Sequence, residues 1–386
     1  MGEKITLKGI TWNHSRGYVS VVATAQRFSE ANPTVDIVWE KRSLQEFADA
    51  PISKLAEIYD LLVIDHPWAG FAADTGVLVP LQLHLSTAFM NDQAQNSVGK
   101  SNESYQFSGN QYALAIDAAT PVASYRPDLL DRYDVRVPDT WDDLLALARK
   151  GHVIMPGIPL DTLMNFYMLC CTQGEDLFVD DEWVVSDQMS LQVLEQLREL
   201  AQLCPSEIFN WNPIAVYEAL SRRDEFVYCP FAYGYSNYSR EGYSDNVLVF
   251  DDMVKVGDSG RCRTTLGGTG LAISTKCQQM DVALKYAEFT ASPVIQRTVF
   301  FENGGQPGHR GAWLNDEVNR RTHDYFKNTL PALDRAYLRP RYPGYLHFQD
   351  NGGFPVHDYV VNGGNPNTVL EKLKKLYYES KVKTAL

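Results

Sequence analysis

No apolar run in this 386-residue chain approaches the roughly 18 residues that a membrane-crossing helix needs. Metal patterning is equally thin. The six cysteines, at 170, 171, 204, 229, 262 and 277, form no C-x-x-C pair, and no two histidines stand four apart, so neither structural zinc nor any other cofactor is expected. Positive charge is in short supply, with 35 Lys and Arg against 48 Asp and Glu for a net charge of −13. With no basic stripe to offset it, nucleic acid is not an expected partner. Catalytic signatures are missing too. There is no G-x-S-x-G elbow, and Leu266-Gly267-Gly268-Thr269-Gly270 lacks both the lysine of a P-loop and the spacing of a dinucleotide fingerprint.

Aromatic residues, by contrast, are plentiful at 12%, including 21 Tyr and 7 Trp. Core packing takes most such rings, and the rest are available to stack on flat ligand faces. A 45% hydrophobic fraction and a mean hydropathy of −0.27 fit a globular chain, and the length predicts about two lobes. Cys170 and Cys171, inside MNFYMLCCTQG, read as small core residues.

Along the chain, the first hundred residues predict alternating strands and helices. Ile5 and Leu7 open a strand that ends in the polar loop Trp12-Asn13-His14-Ser15-Arg16-Gly17. Val21, Ala25 and Phe28 follow at helical spacing until Asn32-Pro33, and Val35, Ile37 and Trp39 alternate as a second strand. A short helix around residues 44–55 leads to the buried run Tyr59–Ile64, which ends in Asp65-His66-Pro67-Trp68. Such alternation predicts a parallel sheet whose ligands gather at the carboxyl ends of its strands, where both polar loops fall. Residues 111–126 read as an extended crossing segment. Thr140-Trp141-Asp142-Asp143 forms a capping box, and the glycine turn at 266–270 feeds a short strand. Val369, Leu373, Leu376 and Tyr377 mark an amphipathic C-terminal helix behind a Thr368 cap.

The order of these motifs resembles the extracellular solute-binding proteins of ABC importers, especially the sugar-binding group. Four stretches carry the likeness: the opening strand and helix ending in ANPTVDIVW; YDLLVIDHPWAGFAADTGVLVPL; NQYALAIDAATPVASYRPDLLDRYDVRVPDTWDDLLALARK; and LGGTGLAISTKCQQMDVALKYAEFTASPVIQ. The resemblance implies an α/β, two-lobed periplasmic-binding-protein-like fold. Each lobe would be a mostly parallel sheet flanked by helices, with a ligand cleft at the hinge. Residues 1–116 plus 256–305 are expected in lobe 1, and 117–255 plus 306–386 in lobe 2.

Within that frame the candidate ligand residues are Trp12, Asn13, His14 and Arg16 after the first strand, and Asp65, His66 and Trp68 after the third. Asp117 lies on the crossing strand, Gly268 and Thr269 at the glycine turn, and Gln306 in a loop beyond it. Tyr233 offers an aromatic wall in the second lobe, and Arg341 a late contact. Each also has a plain structural reading: surface arginine, capping aspartate, core tryptophan, turn. Trp68→Ala is expected to abolish binding and spare the fold. His14, Arg16, His66 and Arg341 together predict an acidic ligand whose affinity weakens as pH rises through about 6.5. The expected function is capture of a small polar solute, a sugar or sugar-like acid, by hinge closure, with delivery to permease subunits by a monomer outside the cytoplasm. The opening MGEKITLKGI shows no apolar signal region, which leaves a removed signal or a cytoplasmic protein as alternatives. In the cytoplasmic case the chain would be an enzyme or sensor, with His14 and His66 as acid and base.

Overall fold

The computed structural model describes residues 4–43, 51–179 and 184–382. They fall into two compact units, 1–119 with 267–319 and 341–343, and 120–266 with 320–340 and 344–386. The predicted helix at 44–55 is described only from Pro51 onward, where Ile52–Ala56 is helical.

Ten strands are named in chain order: β1 (Ile5–Trp12), β2 (Val35–Arg42), β3 (Leu61–Ile64), β4 (Gln106–Phe107), β5 (Asn110–Gln111), β6 (Leu114–Ala119), β7 (Pro121–Tyr125), β8 (Tyr228–Tyr233), β9 (Val249–Asp251) and β10 (Gly267–Ile273). The predicted crossing segment is therefore two strands, β6 in the first unit and β7 in the second, separated by Thr120 alone.

The sheet of the first unit runs β2-β1-β3-β10-β6. β1 pairs parallel with β2 and β3, joined by crossover helices, while β10 returns late in the chain and pairs antiparallel with β3 and β6. Leu7, Leu61, Val63, Ile116, Leu271 and Ile273 point into one apolar cluster, covered by Val21, Ala25 and Phe28 of helix Ser15–Ala31 and by Ala283 and Ala287 of helix Met280–Ala291. The two helices are fastened at Tyr286, whose hydroxyl donates to the Val21 carbonyl at 3.1 Å and accepts from the Trp39 indole N–H at 3.1 Å. The returning segment is displaced from the expected 256–305. Residues up to 266 belong to the second unit, where the Leu266 amide donates to Tyr337. Residues 306–319 stay with the first, because the Gly308 amide donates to Ile116 and the Gln306 side chain to Ala118, which pins the loop to β6.

In the second unit β7 pairs antiparallel with both β8 and β9, where a mostly parallel sheet was expected. The parallel neighbour of β8 is the segment at His152–Ile154, which makes an isolated bridge and three backbone hydrogen bonds rather than a full strand. The capping box before helix Trp141–Ala148 is present as predicted. Helix Pro159–Thr172 is buried nearly throughout and packs on helices Asp187–Leu203 and Tyr345–Asn362. Cys170 and Cys171 lie inside it as buried free thiols. The last helix begins at Pro366, not behind Thr368, since a proline in the first turn forgoes an amide the helix does not use.

Candidate functional site

The sheet order of the first unit brings four chain segments to one edge. β1 and β3 run parallel, so the loops that follow Trp12 and Ile64 leave on the same side. Gly270 of β10 pairs with Ile64, and Asp117 and Ala118 of β6 pair with Thr269 and Gly268, so the start of β10 and the end of β6 reach that edge as well. Of the sequence-predicted residues, all but Tyr233 belong to this unit.

His14 is the N-cap of helix Ser15–Ala31, and its Nδ1 accepts from the Arg16 amide at 3.0 Å. Burial, helped by the Arg16 charge, lowers its pKa to about 4. The imidazole is therefore neutral at neutral pH, with its acceptor nitrogen committed to the cap. Arg16 is only 4% exposed and grips Asp117 with two parallel hydrogen bonds, Nε to Oδ2 at 2.7 Å and Nη2 to Oδ1. Burial raises the Asp117 carboxyl, and Arg16 with the amides of Thr269 and Gln306 works against that rise. Arg16, Asp117, Thr269 and Gln306 thus form one buried network, and Gly268 fits it at φ +95° with the Asp117 carbonyl where a Cβ would stand.

The second loop is built differently. Asp65 is partly exposed and accepts from the His66 amide at 2.8 Å. His66 is 0% exposed, with Nδ1 3.2 Å from Asp65 and its ring edge-on to Tyr105. Trp68 opens helix Trp68–Thr75, is 8% exposed and meets Phe71 edge-on. Trp12 belongs to the apolar cluster, with Gly17 pressed against its indole, and Asn13 is exposed. Arg341 does not present its charge outward. Its Nη1 donates to the carbonyls of Glu103 and Ser104 in the last turn of the short helix Ser101–Ser104 and of Gln106 just past it. Beside it, the Arg341 carbonyl fills the place that a Cβ on Gly70 would take.

Tyr233 lies in the second unit at the end of β8, its hydroxyl 2.8 Å from Thr265 Oγ1. The same unit holds a residue that the sequence reading passed over. Asp161, in the first turn of helix Pro159–Thr172, is 5% exposed inside an otherwise apolar stretch. Its only sequence signal was a lone acid in an apolar helical pattern, which a first-turn preference for acids explains without invoking a site.

Residues 23–320 match the family of bacterial extracellular solute-binding proteins. A maltotriose-binding protein of Pyrococcus abyssi is 25% identical over 126 residues, which is 33% of this chain and 26% of that protein. Among solved structures, a maltose-bound protein of T. maritima superimposes with TM-score 0.84 at 18% identity, covering 98% of this chain and 99% of that one. A ribitol-bound ABC-transporter solute-binding protein of Agrobacterium radiobacter K84 gives TM-score 0.82 at 18% identity, with 98% and 99% covered. At such identities the likeness is one of fold.

Proposed function

The chain belongs to the bacterial extracellular solute-binding proteins, and from that premise we propose that it captures a neutral, polyhydroxylated solute outside the cytoplasm for an ABC importer. The observation that carries the choice of solute is the state of the cationic side chains. Arg16 is paired with Asp117, Arg341 caps carbonyls, and His14 is held neutral. Three of the four groups that favoured an acidic ligand are therefore occupied or uncharged, and a sugar or polyol needs no cation. What the edge of the first unit offers is exposed Asn13 and partly exposed Asp65, polar groups suited to hydroxyls. The bound molecules of the solved relatives, maltose and ribitol, have this character.

The mechanical part of the proposal is a hinge, in which solute contacts favour a closed form that permease subunits recognise, with the protein acting as a monomer. The acid–base alternative loses support from His14, whose low pKa removes a proton donor at neutral pH. Thermal shift and calorimetry with maltose, maltotriose and ribitol test the reading. A true ligand at 100 times its Kd adds about 2.7 kcal/mol of stability. Failure of every one of them at millimolar concentration sinks the polyol reading.

A further inference from the structure

We propose that Asn362 is a site of spontaneous backbone modification, where the side-chain amide is lost as ammonia and an aspartyl or isoaspartyl residue takes its place. The proposal does not depend on which solute the protein captures. It rests on three Asn-Gly steps, at 303–304, 351–352 and 362–363, which the fold treats differently.

The chemistry sets what each step needs. The glycine amide must give up its proton, and its nitrogen then attacks Cγ of the asparagine. An N–C bond forms, the side-chain nitrogen leaves as ammonia, and a cyclic succinimide remains. Water opens the ring to aspartate or isoaspartate, so no other co-reactant enters. Glycine is the favourable follower, because no Cβ hinders the approach of its nitrogen. The attack also needs the glycine N–H out of its hydrogen bond and the asparagine out of helical geometry, which points that nitrogen away from Cγ.

Two of the steps are held fast. Asn351-Gly352 lies inside helix Tyr345–Asn362 with Gly352 buried, so freeing it unwinds the helix on both sides. The Asn351 side chain is tied down as well, donating to the His347 carbonyl at 2.8 Å. At Asn303 the Gly304 amide donates to Phe301 at 3.0 Å, and the side chain donates to the Val299 carbonyl at 2.8 Å. The residues that follow cannot swing. The Gly305 amide donates to Phe300, a Cβ on Gly305 would stand 2.3 Å from the Phe300 ring, and Gln306 is bonded to β6.

Asn362 is placed otherwise. It is exposed and is the last residue of its helix, with the Gly363 amide donating to Tyr359 at 2.8 Å. Its side chain donates to Asp358 at the surface, also at 2.8 Å. Arg198 clamps this helix end through the carbonyls of Tyr359, Val360 and Val361, one residue short of the step. Beyond the clamp, Gly363 and Gly364 stand at φ +74° and +113°, and a Cβ on Gly364 would meet nothing within 4 Å. Helix ends fray, and breaking one backbone bond here frees the nucleophile. The Arg198 guanidinium, 3.1 Å from the place of a Cβ on Gly363, favours the deprotonated amide that attacks. The product puts a carboxylate at the carboxyl end of a helix, where the dipole disfavours negative charge. Its isoaspartyl form lengthens the main chain between helices Tyr345–Asn362 and Pro366–Val382, which pack on each other.

The test ages the full chain at pH 8 and 37 °C beside a sample unfolded in urea, and follows the three asparagines by peptide mass spectrometry. The native chain is expected to convert Asn362 at least ten times faster than Asn303 or Asn351, while the unfolded chain converts all three at similar rates. Asn362→Gln is expected to keep the wild-type circular dichroism and to lose the main acidic species on ion exchange. Native conversion led by Asn303 or Asn351, or spread evenly over the three, overturns the assignment. So does an Asn362 that stays intact in the native chain after the unfolded chain has reacted.

Discussion

His14 shows how a single side chain reverses an expectation drawn from residue type alone. A histidine in a polar loop predicted protonation near pH 6.5, yet the cap it forms requires a bare Nδ1, and burial with the Arg16 charge lowers its pKa to about 4. The unfolded chain keeps the ordinary value, so between pH 6.5 and 4 the unfolded state binds more protons and stability falls with pH. The full effect is on the order of 3 kcal/mol for a shift of this size, less for a half-buried ring. Replacing it by Asn keeps the cap and removes the titration. The wild type should therefore lose melting temperature between pH 7 and 4.5 faster than His14→Asn, and equal slopes would refute the assignment. Asp161 gives the opposite sign. Its carboxyl is raised to about 8, so the stability of the folded state falls as pH rises from 4 to 8. Asp161→Asn should then gain on the wild type by a few kcal/mol, as an order of magnitude, over that window. Melting curves at pH 5 and 8 would measure it.

The Arg16–Asp117 pair belongs to the same scale. Removing one partner of a buried ion pair costs about 3–5 kcal/mol, so Arg16→Gln should lower the denaturation midpoint well before any effect on affinity is read. A double change to Met and Leu should cost less than either single change. If Arg16→Gln unfolds at the wild-type midpoint, the pair is not structural.

At the scale of elements, what could be read from the sequence was local. Helix Ser15–Ala31, its Asn32 terminus and the 140–143 capping box all depend on residues within a turn of one another, and each was legible. The partner of Arg16 was not, because 101 residues separate it from Asp117 and only the pairing of β6 with β10 brings them together. Both had been singled out as ligand contacts, and nothing in their spacing distinguished that from pairing with each other. Asp161 was passed over for a different reason, since one acid in the first turn of a mostly apolar helix is ordinary. Trp68 stands between these cases. At 8% exposed and edge-on to Phe71, it is buried enough that Trp68→Ala should cost about 3–5 kcal/mol. The expectation of an intact fold is therefore better tested with Trp68→Phe. Gly268 offers a cleaner element-level test. A Cβ there would stand 2.4 Å from the Asp117 carbonyl at φ +95°. Gly268→Ala should separate β10 from β6 locally and destabilise by 1–3 kcal/mol, as an order of magnitude, and a neutral result would contradict the register.

For the whole molecule, the division into two units joined by several short chain passages is what a hinge requires. Small-angle scattering is expected to show a smaller radius of gyration when a saturating polyol ligand is added, and an unchanged radius would argue against closure.

The six cysteines carry a consequence of a different kind. All are free, and five of them are buried. Burial pushes every one of these thiols up, Cys171, Cys204, Cys262 and Cys277 to about 12. Because the thiolate is the reactive form, the native chain is nearly silent toward maleimide and iodoacetamide dyes. A single cysteine placed at an exposed position such as Asn13 would then take the label almost alone, without deleting any native residue from the core. A solute-responsive dye on that background would turn the protein into an optical sensor for whatever it captures.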